Sequence, residues 1–186
     1  MKKESLLRGI DPEGPMNYFP TIRHADKAEA MDLAALAFVS WEQGILPLYR
    51  DREHSRDALM NQLSAYCQDN FRNIIVAKMD GEIVGWCARM SNKPYVPYLF
   101  VTPHLQGQGI GGMLLKRMEY IFELQGHKAV QLETPADHVQ AVRFYENQGY
   151  SILAMRAEGH NAHKPFMNVR LEKKLNPYSG LIEDID

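Results

Sequence analysis

Gln106-Gly107-Gln108-Gly109-Ile110-Gly111-Gly112 lies between an apolar strand pattern and a helical one. Clustered glycines are costly at a helix start, because glycine loses the most conformational freedom on folding, unless the backbone must approach something closely. Bare amides pointing along a helix axis, at the positive end of its dipole, bind phosphate. A Walker loop is excluded, since it closes on Gly-Lys-Ser/Thr and Gly112 is followed by Met113. The dinucleotide fingerprint is a harder rival. Gly107-x-Gly109-x-x-Gly112 fits it literally, and Glu133 stands near the place of its ribose-binding acid. That fingerprint, however, follows its strand at once and opens its domain. Here Thr102 to Gln106 intervene, and two helices and a strand meander come first.

Upstream of the loop, Asn73 to Lys78 reads as a strand, Asp80-Gly81 as a tight turn, Glu82 to Met90 as the returning strand and Tyr95 to Val101 as a third antiparallel one. Earlier still, Asp26 with Glu29 three residues on is a capping box. It precedes Ala28, Met31, Ala35, Phe38 and Val39 at helical spacing, and a second helix carries Leu59, Leu63, Tyr66 and Cys67 on one stripe. Downstream, Gly109 to Gln125 is a helix, Ala129 to Glu133 a short buried strand, and His138 to Gln148 a helix stopped by Gly149. Tyr150 to Ala157 and Phe166 to Leu171 form a last strand pair. With Thr21-Ile22-Arg23 as the opening strand, the order is β-α-α-β-β-β-α-β-α-β-β. This is one α/β domain over 21–175 with a mixed, mostly antiparallel central sheet. Residues 1–20 form an irregular lead-in rich in proline and glycine, and 176–186 an acidic tail.

The chain has 186 residues, 45% of them hydrophobic, and a net charge of −2, which suits a single core and gives no basic surplus for nucleic acid. No apolar run is long enough for a membrane span and no apolar core follows Met1-Lys-Lys-Glu, so a cytoplasmic location is expected. Cys67 and Cys87 are too few for a disulfide framework and are expected to be buried and reduced. His160 and His163 have no third close ligand, so no metal site is expected. Glu172-Lys173-Lys174 reads as a solvated strand end.

Two blocks carry a family resemblance. Gln106-Gly-Gln-Gly109-Ile-Gly111 resembles the Gln/Arg-x-x-Gly-x-Gly/Ala motif of the GCN5-related N-acetyltransferase (GNAT) superfamily, with Leu99-Phe-Val-Thr-Pro103 like its strand-then-proline lead. His138-Val-Gln-Ala141-Val-Arg-Phe144-Tyr145-Glu-Asn-Gln-Gly149-Tyr150 resembles its second block, which begins with Asn where this chain has His138. The resemblance spans about Ile74 to Leu171 and implies a GNAT-like fold that binds acetyl-CoA. By that likeness the amides of Gln106, Gly107, Gln108, Gly109, Ile110, Gly111 and Gly112 hold the pyrophosphate. The backbone of Leu99, Phe100 and Val101 offers hydrogen bonds to the pantetheine, and that strand splays from Ala129–Glu133 to admit the thioester. His138 either takes over the Asn's hydrogen bond to the pantetheine or caps its helix.

Tyr145 stands where the family has its general acid. A phenol near pKa 10 stays protonated at neutral pH and matches a thiolate of similar basicity. Apart from the resemblance, it reads as a core aromatic on a stripe with Ala141, Phe144 and Gln148. Glu133, at the end of its strand, is the candidate base, or a plain surface carboxylate. By the same likeness the apolar stretch with Trp41, Ile45, Leu46 and Tyr49 either borders the acceptor site or is core or a dimer contact, and Tyr98, alternating with Phe100, is a candidate to line the acceptor channel. The implied activity is direct transfer of an acetyl group to a primary amine, on a small molecule or a protein, in a ternary complex and without a cysteine nucleophile. Homodimers are frequent in the family. A GNAT fold that binds acyl-CoA as a sensor, without turnover, is the alternative.

Overall fold

The structure is a computed structural model that describes residues 19–48, 56–158 and 166–177. Tyr49, His160, His163 and most of the expected lead-in and tail lie outside them. The capping box forms as its spacing predicts. The Asp26 carboxylate accepts from the Ala28 N–H at 3.0 Å, and Glu29 accepts from the Asp26 N–H at 2.9 Å. A single tight turn, Lys27–Glu29, then runs into helix α1 (Ala30–Gly44). Helix α2 (Arg56–Asn70) packs against α1 through its buried Leu63 and Cys67.

Strands β1 (Thr21–His24), β2 (Ile74–Met79) and β3 (Glu82–Ala88) pair antiparallel, with the β2–β3 turn made by Asp80 and Gly81, both at positive φ. The third expected strand is two. β4 (Tyr95–Val96) and β5 (Tyr98–Val101) are separated by Pro97 and belong to different sheets. Proline has no N–H to extend a ladder, so pairing stops there. β5 continues the first sheet, in the order β1-β2-β3-β5. β4 runs parallel to β6 (Ala129–Pro135) and opens the second sheet, β4-β6-β8-β7, with β7 (Ser151–Glu158) and β8 (Phe166–Lys174) antiparallel. The expected single central sheet is therefore two four-stranded sheets that part beyond Val96 and Leu132. β6 also outruns its expected end at Glu133, reaching Pro135 because β8 pairs with it throughout.

Helix α3 (Ile110–Leu124) leads into β6, and α4 (Val139–Asn147) follows it. Alternation along the strands sorts the core. Ile75, Ala77, Cys87 and Val101 join Leu114, Met118 and Phe122 on the α3 face, whereas Ile74, Val76 and Trp86 join Leu33, Ala37 and Leu63 on the α1–α2 face. Trp86 is fully buried, and its indole N–H reaches the Leu33 carbonyl at 2.9 Å, so the polar edge of the ring costs nothing by burial.

Gly85 allows the close fit of β3, β5 and α3. A Cβ there would stand 2.9 Å from the Phe100 carbonyl oxygen and 3.2 Å from Leu114 Cδ1. Gly85→Ala is expected to cost about 1–3 kcal/mol by overpacking. The check is a lower urea midpoint with an unchanged slope. An unchanged midpoint would show that β5 can shift to accept a methyl group.

Candidate active site

The loop before α3 is anchored at its start. A short turn at Pro103–Leu105 ends with the Gln106 N–H donating to the Pro103 carbonyl at 3.2 Å, and the Gln106 side-chain amide donates to the Val101 carbonyl at 3.0 Å. The bare amides therefore begin at Gly107, and Gln106 braces the loop. The glycines divide the remaining work. Gly107 and Gly109 have φ of +77° and +87°, with nothing within 4 Å of where a Cβ would stand. Gly109 is the N-cap of α3 and offers no side chain to cap it, and the first helical bond runs from the Met113 N–H to the Gly109 carbonyl. The amides of Ile110, Gly111 and Gly112 are thus left without an intrahelical acceptor. Gly111 and Gly112 serve packing as well: their Cβ positions lie 3.4 Å from the Phe144 ring and 3.4 Å from the Gln148 amide, so α4 can lie close beside α3. Two loop residues, expected to bind through their amides, turn their side chains elsewhere. Ile110 is in the core, and the Gln108 amide folds back onto the His104 carbonyl.

Beside the loop, β5 has an open edge. The Thr102 N–H bonds to the Val84 carbonyl, and Phe100 is the partner of Trp86. In an antiparallel ladder this alternation turns the backbone groups of Phe100 toward β3 and those of Leu99 and Val101 away from it. The expectation that all three residues offer backbone to a ligand is corrected to Leu99 and Val101. The Val101 carbonyl confirms the direction, because it accepts from Gln106 and, at 3.2 Å, from the buried Ser40 hydroxyl of α1. Ser40 went unrecognised in the sequence. Its signal was a polar residue at the end of the stripe Ala30, Leu33, Ala37, which called for a buried partner.

The open edge, the glycine loop and the parted ends of β5 and β6 border one cleft of about 790 Å³. Helix α4 runs along it as a ruler. Gln148 stands by Gly112, Phe144 by Gly111, and at the other end the His138 ring lies 3.8 Å from the Cβ position of Gly44 on α1. Tyr145 faces the cleft beside Phe144, at the glycine-loop end, its ring set against Phe144 at 5.0 Å and Tyr150 at 5.8 Å. Burial pushes its hydroxyl pKa above the usual phenol value, so the group remains a proton donor. His138 is the N-cap of α4 by position, but its side chain makes no capping bond. The cap alternative for His138 is thereby removed. Burial lowers its pKa below the ordinary imidazole value.

Glu133 lies within β6, on the cleft wall, and Arg170 of β8 grips its Oε1 through both Nε, at 2.6 Å, and Nη2. Tyr98 belongs to an aromatic wall with Tyr66, Trp86 and Phe100, at ring separations of 4.7, 6.0 and 5.9 Å. Trp41 and Ile45 close the far end, from the α1 side. Behind the cleft, Lys173 reaches the buried Glu119 at 2.7 Å, so this part of the expected solvated strand end is a core-facing ion pair. Cys67 and Cys87 are buried, which pushes the Cys67 thiol up to about 12 and Cys87 higher still, the wrong direction for a nucleophile. Among the described residues no group of three or more His, Cys, Asp or Glu is placed to hold a metal, and no helix is long and apolar enough to cross a membrane.

Comparison with known proteins agrees with this architecture. Residues 43–173 match the family model of the acetyltransferase (GNAT) domain. An uncharacterized N-acetyltransferase of Archaeoglobus fulgidus is 29% identical over 137 residues, covering 68% of this chain and 90% of that protein. The spore coat polysaccharide biosynthesis protein SpsD of Bacillus subtilis is 28% identical over 109 residues, covering 55% of this chain and only 38% of its own length. Among solved structures, a GCN5-related N-acetyltransferase from Rhodopseudomonas palustris superposes with a TM-score of 0.68 at 19% identity, over 88% of this chain and 99% of that one. YncA of Salmonella typhimurium, solved with acetyl-CoA, gives 0.60 at 18% identity, over 84% and 94%.

Proposed function

This chain is a member of the GNAT acetyltransferase family, and we propose that it transfers an acetyl group from acetyl-CoA directly to a primary amine held in the same cleft. The observation that carries this reading is the meeting, in one cleft, of an uncapped glycine helix start, an unpaired strand edge and a protonated phenol. When bound, acetyl-CoA supplies the activated acyl group and the thiol that leaves.

The residues present fit such a ligand. The amides from Gly107 to Gly112 suit a diphosphate, since they converge at the positive end of α3 and the space beside Gly107 and Gly109 is open. Lys116, one turn further along α3, is the sole Lys or Arg among the described residues bordering the cleft, and it supplies the positive charge that Gln106 does not. The outward N–H and carbonyl of Leu99 and the N–H of Val101, whose carbonyl is taken by Ser40 and Gln106, can pair with a pantetheine arm as an added strand would. Tyr145 donates a proton to the departing thiolate. The Arg170 grip gives Glu133 a part other than that of a bare base. Its carboxylate draws the acceptor's ammonium to the wall of the cleft, while Arg170 fixes its orientation.

The test is thiol release from acetyl-CoA in the presence of phenethylamine, spermidine and a lysine-containing peptide. Release that depends on the amine supports the transferase. Calorimetric binding of acetyl-CoA without release from any of the three would make the chain a binding module.

A further inference from the structure

We infer that His138 is the general base that takes the acceptor's proton, and that α4 carries acid and base together as a single stripe, His138–Ala141–Tyr145. The inference rests on the acetyltransferase reading and names the group that completes it.

Order along the ruler is the first argument. At the phosphate end α4 meets the glycine loop through Gln148 and Phe144, and at the other end His138 meets α1. Tyr145, next to Phe144, thus belongs to the carrier's end of α4 and His138 to the end that meets α1, so an amine entering from the α1 side meets His138 first. Spacing is the second. The His138 carbonyl accepts the helical bond of the Val142 N–H at 3.0 Å, so the helix is regular from that residue on. Residues seven apart then share a face and stand about 10.5 Å apart along the axis. That leaves room for an amine, a carbonyl and a thiol between two groups that each reach their proton at about 3 Å. Ala141, between them on the same cleft-facing stripe, presents only a methyl group.

Availability is the third. The His138 ring does not cap its helix, and its Cε1 and Nε2 edge faces the bare Cα of Gly44. Among the described residues, the titratable or charged groups bordering the same cleft besides His138 are Tyr98 on β5, Lys116 on α3, Glu133 on β6 and Tyr145 on α4, while α1 and its C-cap bring the uncharged Ser40, Trp41, Gly44 and Ile45. Glu133 is already engaged by Arg170, so a proton placed on it would leave a partly buried guanidinium uncompensated. The imidazole gains a charge where none was balanced before, and passes it to water as product leaves. In the balanced step the acceptor's ammonium has first lost one proton to water, the neutral amine nitrogen forms the new bond to the acetyl carbon, and the carbon–sulfur bond breaks. The amine's proton goes to His138, and the thiolate takes the Tyr145 proton.

The experiment compares wild type with His138→Gln by three readouts: acetyl-CoA affinity by calorimetry, the pH profile of kcat/KM for the amine panel calculated on the neutral form of each amine, so that the substrate's own ionisation drops out, and an imidazole NMR titration of the ligand-free protein. In wild type the rate should fall as pH drops through a value below 6.5, and the NMR titration should assign the same value to His138. The variant's amide keeps a hydrogen bond to the pantetheine but cannot take up a proton, so acetyl-CoA affinity should stay within about twofold, kcat should drop about 100-fold and the acidic limb should vanish. An acidic limb that survives in His138→Gln and disappears in Glu133→Gln would overturn the inference and leave the acetyltransferase reading intact. Wild type that releases no thiol with any amine would overturn both.

Discussion

Gly109→Glu is expected to weaken acetyl-CoA binding at least 100-fold in calorimetry, about 3 kcal/mol. Two effects add. Gly109 has a φ of +87°, where a side chain costs about 1–2 kcal/mol. The new carboxylate then sits at the uncapped start of α3, where it competes with a diphosphate for the same amides and repels it. Gly109→Ala separates the two, because it keeps the backbone cost and adds no charge. It should bind about tenfold more weakly than wild type. Equal binding by wild type and Gly109→Glu would remove the phosphate cradle from the site.

Tyr145→Phe should lower turnover by about 10²- to 10⁴-fold, the usual range for a lost general acid, with acetyl-CoA affinity nearly unchanged. The ring contacts with Phe144 and Tyr150 survive the change, so little stability should be lost. The deficit should shrink with a thioester of a more acidic thiol, which leaves without help. Steady-state kinetics with both thioesters checks this, and an equal deficit for the two would assign Tyr145 to packing. The pH dependence has a definite sign. An acid must be protonated to act, and burial raises this hydroxyl above 10, so its loss should not limit the rate at any pH below 10.

Local rules made much of this chain legible. The capping box at Asp26, the turn at Asp80-Gly81 and the stop at Gly149 each follow from main-chain geometry within a few residues, and all three form as read. The glycine loop was legible for a different reason: no fold tolerates so many glycines at a helix start without a use for them. What escaped depended on pairing at a distance. The parting of the sheets hangs on Pro97, whose neighbours are all good strand formers, so the stretch looks like one strand until its two partners are known. Arg170 lies 37 positions from the Glu133 it grips, and Lys173 lies 54 from Glu119. Such partners leave no trace in local pattern. The separate roles of Gly111 and Gly112 were likewise invisible until Phe144 and Gln148 were seen beside them.

The two sheets part at residue 97, whose nitrogen carries no hydrogen to extend either ladder. The wedge therefore lies in the main-chain pairing and not in the groups around its rim. Side chains at the α1 end can change to suit one amine or another without closing the slot that receives the acyl carrier. A scaffold of this kind can trade acceptors while keeping its donor.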